Sequence, residues 1–229
     1  IIVCAALVLN IILFMFQATA GGNKINEDSK RDLRIRTEYI ENYKSNIQNI
    51  VDRAEKLKKQ RLFSNPESFS YKNIIKTGKD YEKLININLS ADNSKAVRAI
   101  SKYSMFIGIS AILTLLLMNN LFKERDNNMW QLTYMSKNGR AYLGLVRIAD
   151  IFIVSLIQHF LLYITVAFTS FILFGGLGDL YNPIQNISEF GQCTLVINKA
   201  EYLIADFLLT YLLSLIHISE PTRLRCISY

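Results

Sequence analysis

The sequence predicts an all-α membrane protein with about four transmembrane helices and a mostly helical extracytoplasmic domain between the first and second. Two observations predict this fold class. Hydrophobic residues make up 51% of the 229-residue chain, and they are concentrated in long blocks with the charges between them. The longest blocks reach the roughly 20 residues that a helix needs to cross a hydrocarbon core of about 30 Å.

Four apolar blocks define the predicted spans. The first block has no initiator methionine and no basic flank, so we interpret it as an N-terminally truncated transmembrane helix and not as a signal peptide. The last block begins as a span but stops short of full length, so we expect it to be truncated. The four spans are predicted at residues 1–18, 103–122, 148–174 and 202–212.

Residues 213–229 require a separate interpretation. Leu213 to Arg223 reads LSLIHISEPTR, which resembles the in-frame translation of a transposase sequencing adapter over eleven consecutive positions. We therefore expect residues 213–229 to be an artefact of sequencing read-through. No functional role is predicted for any side chain of this segment.

The predicted extracytoplasmic domain covers residues 19–102. Helical periodicity is clear between Arg31 and Gln60, and residues 71–89 fit either a helix or short strands. The apolar stripe of the first helix consists of Tyr39, Tyr43, Ile47, Ile50, Ala54 and Leu57. The excess of lysine and arginine favours a solvated helix face; the alternative is a surface for anionic lipid, cell-wall polymer or nucleic acid.

The charges of the connecting segments predict the topology. The segment 123–147 is short and rich in lysine and arginine, and short basic loops stay in the cytoplasm. The segment 175–201 carries more acidic than basic residues and is predicted to be an extracytoplasmic loop. Together these assignments place residues 19–102 outside the cell membrane and predict a multi-pass membrane protein.

No catalytic motif is present in the sequence. It contains no GxxxxGK[ST] phosphate loop, no HExxH zinc motif and no GxSxG nucleophile elbow. Outside the adapter-like tail, the cysteines are Cys4 and Cys193, one in a predicted span and one in a loop, which argues against a disulfide between them. We therefore predict that the chain is not an enzyme, with no catalytic residue, bound cofactor or metal site.

The stretch from Leu121 to Phe152 is the most informative part of the sequence. A predicted span runs into Glu124 and Arg125, an amphipathic segment follows, and a polar turn leads into the next apolar helix. Trp130 suits the lipid headgroup region, and Met129 could enter a groove of a soluble partner. This pattern predicts a short helix at the cytoplasmic membrane surface.

The order of residues in this stretch resembles the ABC-2 type ABC transporter permease family. In that family, an acidic-basic pair, a short helix and an arginine precede the third span. Matching positions here are Glu124, Arg125, Leu132, Thr133, Ser136 and Arg140. Asn127 and Asn128 replace the glycine-containing turn that is usual there.

This resemblance implies a permease subunit of an ATP-driven exporter. A separate ABC ATPase subunit would carry ATP and magnesium, and the permease would pair with a second copy or a homologue in the lipid bilayer. The expected substrates are hydrophobic or amphipathic, such as peptides, lipids or glycans, and no nucleic acid is expected. The predicted ATPase-coupling residues are Glu124, Arg125, Met129, Trp130, Leu132 and Arg140.

Three polar residues within the apolar blocks are candidate pathway residues. Gln158 and His159 lie near the middle of the third block, where polar groups are costly and often functional. The alternative is a histidine that is simply hydrogen-bonded to a neighbouring helix. Asp206 in the fourth block fits a pathway residue or an interfacial anchor equally well.

A second function remains open on the sequence alone. A membrane-anchored envelope sensor with an external ligand-binding domain would explain residues 19–102 as well as a permease does. It explains the third and fourth apolar blocks less well, because the second span of a sensor normally leads into a soluble signalling helix.

Overall fold

The structure, a computed structural model, describes residues 2–20, 29–60, 65–126 and 139–227. Residues 117–126 and 217–227, and part of 139–147, are described as helical backbone only. Within these ranges there is no β-strand, and one isolated β-bridge joins Pro183 to Asn198. The helices are α1 (Ile2–Ala20), α2 (Ser29–Lys59), α3 (Phe69–Glu82), α4 (Lys95–Lys102), α5 (Met105–Asp126), α6 (Gly139–Phe174) and α7 (Lys199–Ile227).

The helices confirm the all-α prediction and divide into two compact units. The first, here called the apolar unit, comprises residues 1–23, 99–175 and 204–229. The second, the polar unit, comprises residues 24–98 and 176–203. Each unit is therefore assembled from segments that are distant in the sequence.

The apolar unit is built around the packing of α1, α5 and α6 on one another. Its exposure pattern is the reverse of that of a soluble protein. Large apolar side chains such as Phe16 (70% exposed) and Phe168 (64%) face outward, whereas the polar side chains of Asn10 and His159 are fully buried. Exposed apolar surface of this extent is typical of proteins that contact lipid.

Among the residues that the structure describes, two helices are long and apolar enough to cross a membrane. They correspond to the first and third predicted spans and cover Ile2–Thr19 and Ile148–Phe174. A third candidate is the pair formed by α4 and residues Met105–Leu116 of α5, which is bent by 50° at the break between the helices. Over its described residues α7, which contains the fourth predicted span, is not among these candidates.

The core of the polar unit lies between α2 and α3. Tyr43, Ile47 and Leu84 are buried together, and Tyr39 and Ile50 pack against them. The helical stripe predicted for α2 is thereby confirmed. Of the ambiguous portion 71–89, residues 71–82 are helical as part of α3. Helix α3 begins after Ser68, whose hydroxyl accepts a hydrogen bond from the backbone N–H of Tyr71 at 3.2 Å.

The segment after α6 folds as part of the polar unit. It contains two short 3-10 turns, and its ends meet where the backbone N–H of Ile184 donates to the carbonyl of Ile197 at 3.0 Å. Ile184 and Ile187 pack against Val97 of α4. The predicted loop 175–201 is therefore a structural partner of the preceding polar region, a relation that the sequence analysis did not anticipate.

Candidate functional site

The predicted ATPase-coupling residues divide between two helix ends and the segment that joins them. Glu124 and Arg125 lie in the last turn of α5, and Arg140 lies in the first turn of α6. Met129, Trp130 and Leu132 lie outside the described residues. The two helices pack against each other.

Helix α6 extends well beyond its apolar part. It has 36 residues, of which Ile148–Phe174 form the apolar stretch. The preceding residues 139–147 continue the same helix for about 13 Å at 1.5 Å per residue. Arg140 is consequently joined to the apolar stretch by uninterrupted helical backbone.

A cluster of polar side chains lies inside the apolar unit around His159. The imidazole is fully buried, with Nδ1 3.4 Å from the Ser110 hydroxyl and Nε2 3.2 Å from the Thr210 hydroxyl. These contacts connect α6 to α5 on one side and to α7 on the other. Aromatic rings enclose the imidazole, with Phe106, Phe207 and Tyr211 centred 5.4 to 5.6 Å away.

Gln158 occupies the adjacent position in this cluster. Its side-chain amide donates to the Ser110 carbonyl at 3.2 Å and lies 3.4 Å from the Thr114 hydroxyl. Its Oε1 is buried and has no hydrogen-bond partner. A buried acceptor without a partner is energetically costly in an apolar environment.

Asp206 lies one helical turn from this cluster on α7. Its carboxylate accepts a hydrogen bond from the Tyr163 hydroxyl at 3.2 Å. The backbone carbonyl of Asp206 also accepts from Thr210, which contacts His159. Asp206 is thus linked to the His159 cluster through its backbone carbonyl and not through its carboxylate. The role of Gln158, His159 and Asp206 in a pathway stays a prediction.

Asn10 is a buried polar residue that the sequence analysis missed. Its amide donates to the Leu162 carbonyl at 3.1 Å, and its Oδ1 accepts from the Tyr103 hydroxyl at 2.8 Å. It thereby connects α1 to α6 and to Tyr103, which lies between α4 and α5. The available signal was an asparagine in the middle of a nearly apolar block, because such residues often form hydrogen bonds between membrane helices.

A second polar centre, formed by Asp92 and Lys199, lies within the polar unit. The Lys199 ammonium, whose side chain is fully buried, donates to the two carboxylate oxygens of Asp92 at 2.8 and 2.6 Å. Asp92 also accepts from Ser94 at 2.7 Å and from the amide of Asn182 at 3.0 Å. The ion pair therefore joins the two chain segments from which the polar unit is built.

Burial and hydrogen bonding act in opposite directions at this ion pair. Burial disfavours the Asp92 carboxylate, but the hydrogen bonds from Lys199, Ser94 and Asn182 outweigh it and lower the pKa of Asp92. Burial also lowers the pKa of Lys199, against the opposing effect of the carboxylate. The lowered pKa of Asp92 keeps this carboxylate ionised at neutral pH.

The described side chains do not form a metal centre. Comparison with known proteins does not identify a family. Among the described residues, no group of three or more His, Cys, Asp or Glu side chains is placed to hold a metal ion. Comparison of the chain with protein-family models, with curated proteins and with solved structures gave no match. Cys4 and Cys193 are both free thiols.

Proposed function

We propose that the chain is the permease subunit of an ATP-driven exporter of the ABC-2 type, situated in a bacterial inner membrane. ATP and magnesium would be bound by a separate ATPase subunit, and a second permease copy or a homologue would complete the transport pathway. The substrate would be hydrophobic or amphipathic. The chain itself would supply the pathway and the mechanical connection to the ATPase.

The observation that carries this proposal is that the polar unit is built from two separate segments of the chain. Residues 24–98 and 176–203 fold together, although α5 and α6 separate them in the sequence. Two helices that each cross the membrane return the chain to the side from which it started. The shared fold of these segments therefore supports two crossings, with residues 127–138 on the opposite side.

The continuity of the helices supports the predicted coupling role. Force applied at Glu124 or at Arg140 would pass along α5 or α6 without an intervening loop. Rigid-body movement of helices is an established way of converting a local push into a change of access. The resemblance of residues 121–152 to the coupling segment of ABC-2 permeases agrees with this arrangement.

The direct test is the effect of charge reversal on ATPase coupling. The chain would be produced together with the ATP-binding subunit encoded next to it and reconstituted in lipid nanodiscs. We expect Glu124→Lys and Arg140→Glu to abolish co-purification of the ATPase or its stimulation by the permease, with membrane insertion unchanged. Matched charge reversals at Asp126 and Lys137, which lie in the same stretch but are not among the positions that match the family, should retain both properties.

Two outcomes would refute the proposal. One is full retention of ATPase binding and stimulation in both Glu124→Lys and Arg140→Glu. The other is the absence of any ATP-binding subunit among the neighbouring reading frames together with an adjacent response regulator, which would favour a membrane-anchored sensor.

A further inference from the structure

The outward face of helix α3 carries a row of lysines that no predicted function explains. The row, here called the basic row, consists of Phe69, Lys72, Lys76, Lys79 and Lys83. Successive members are three or four residues apart, so they lie along one side of the helix, and Lys83 is its C-cap in helical conformation. All five side chains are exposed, and Phe69 is 82% exposed.

The opposite side of α3 is used for packing in the polar unit. Ile74 and Gly78 line the groove between α3 and α2, and a Cβ added at Gly78 would lie 3.5 Å from the Cβ of Ala54. At about 3.6 residues per turn, Ile74 lies roughly opposite Lys72 and Lys79 on the helix. The basic row is therefore left free by the packing of α3 on α2.

The basic row keeps an excess of positive charge after its ion pairs are counted. The two outer lysines form ion pairs on the surface, with Glu67 at 3.5 Å and with Asp80 at 3.0 Å. The two central lysines, Lys76 and Lys79, form no ion pair with a carboxylate of the described residues. All four lysines line one open depression of about 390 Å³, so their charges face a common space.

We propose that the basic row docks on the surface of an anionic phospholipid bilayer. Lysines close to such a surface are each attracted by the headgroup charges, so four lysines in one row act together. Phe69 favours a bilayer over an acidic protein as the partner. An exposed aromatic ring next to cations suits the boundary between the headgroups and the acyl chains.

The connectivity of the chain keeps the basic row close to a membrane. The segment 24–98, which contains α3, follows α1 and leads into α5 in the sequence. Helix α1 is long and apolar enough to cross a bilayer. Such a tether raises the effective concentration of the row at a bilayer, so weak individual attractions are sufficient for docking.

The test measures binding of the full-length chain to separate vesicles. The chain is reconstituted in phosphatidylcholine nanodiscs and mixed with sucrose-loaded vesicles. The vesicles contain either phosphatidylcholine alone or equimolar phosphatidylcholine and phosphatidylglycerol. The fraction of chain that sediments with the vesicles reports binding, and empty nanodiscs give the background. We expect binding to the phosphatidylglycerol vesicles only, and its loss in added salt, which screens surface charges.

The double variant Lys76→Gln with Lys79→Gln should weaken vesicle binding about tenfold or more, since each lysine near an anionic surface contributes to the attraction. Phe69→Ser should also weaken binding, because an apolar contact with the acyl chains is lost. The matched control is Lys44→Gln with Arg53→Gln on α2, which removes the same net charge from the same unit and should retain binding. All of these side chains are exposed, so far-UV circular dichroism should be unchanged.

Three outcomes would overturn the proposal. Equal sedimentation with both kinds of vesicle would leave the basic row as a solvated helix face. Equal weakening in the α2 control and in the α3 variant would replace the row by a general effect of net charge. Binding to immobilised poly-L-glutamate without binding to phosphatidylglycerol vesicles would assign the row to an acidic protein partner. The proposal does not depend on the transport function, and ATPase coupling is not measured in this test.

Discussion

At the scale of single residues, the Asp92–Lys199 pair distinguishes a buried ionic contact from the surface pairs of the same unit. Lys199 is fully buried and the Asp92 side chain is 14% exposed, whereas Glu67 in the Lys72–Glu67 pair is 89% exposed. Exposed pairs contribute little to stability, because solvent screens the charges. A buried pair is different, since removal of one partner leaves an uncompensated charge.

Asp92→Asn should therefore destabilise the polar unit strongly, by about 3 kcal/mol, because Lys199 loses its counter-ion. Lys199→Met should have a comparable effect. The loss of unfolding free energy in the double variant should be smaller than the sum of the losses in the two single variants. Resistance of the full-length chain to limited proteolysis during a urea titration measures the change. Glu67→Gln is the matched control and should leave the urea concentration of the unfolding transition unchanged. An equal shift of this transition in the control would contradict the assignment.

The same carboxylate should make the polar unit sensitive to acid. Because the folded state lowers the pKa of Asp92 below its ordinary value of 3.8, its contribution to stability is complete above that value. This contribution is lost as the pH falls through the lowered pKa of the folded state. Far-UV circular dichroism between pH 7 and pH 2 should show a steep acid transition in the wild type and a shallower one in Asp92→Asn. Identical transitions would exclude Asp92 as the group responsible.

His159 allows the packing role and the pathway role to be separated. His159→Phe removes the contacts to Ser110 and Thr210 but keeps a ring among Phe106 and Phe207. Side-chain bonds between membrane helices are worth about 0.6 kcal/mol each, so the bundle should stay assembled. A pathway residue should nevertheless be required for export-linked ATP hydrolysis in nanodiscs.

The matched control for this experiment is Ile157→Val, which changes an outward-facing side chain two positions away. It should retain both assembly and ATP hydrolysis. Normal coupled hydrolysis in His159→Phe would leave helix packing as the role of this histidine and remove it from the proposed pathway.

At the scale of secondary-structure elements, the connection between α6 and the polar unit depends on backbone geometry. Gly175, Gly176 and Gly178 all have positive φ angles, which L-residues rarely adopt. At Gly178, with a φ of +72°, a Cβ would also collide with the backbone carbonyl oxygen of Asn93. The turn after α6 therefore requires glycine at this position for two independent reasons.

Gly178→Ala should destabilise the polar unit by about 2 kcal/mol or more, from the left-handed conformation and from the collision combined. Gly108→Ala in α5 is the matched control, since nothing lies within 4 Å of its added Cβ and alanine favours a helix. Proteolysis of the full-length chain should be accelerated in the first variant only. Equal resistance of both variants would show that the turn can relax.

At the scale of the whole molecule, the proposed topology can be tested by cysteine labelling. Lys76→Cys and Tyr181→Cys place thiols on the two segments of the polar unit, and Lys137→Cys places one between α5 and α6. In a background without native cysteines, an impermeant maleimide should label the first two in intact spheroplasts. It should label position 137 only in inverted vesicles. Labelling of Tyr181→Cys and Lys76→Cys from opposite sides would contradict the two crossings.

The sequence by itself determined the helical class, the first and third apolar helices and the buried stripe of α2. These features follow from local composition and from the 3.6-residue period, which neighbouring residues establish without the rest of the chain. It also identified Gln158 and His159, because polar residues within a long apolar stretch can be recognised from the sequence alone. The resemblance of residues 121–152 to a coupling segment rests on sequence alone.

Only the tertiary structure decided which distant segments belong together. The pairing of Asp92 with Lys199, 107 positions apart, has no local signal, since either residue alone looks like an ordinary surface charge. The partner of Asn10 was also decided by the tertiary structure: the asparagine stands out in an apolar block, but its contact with Tyr103 has no local signal. Such contacts depend on how the intervening helices bring distant segments together. The local pattern of residues in the sequence does not contain this information.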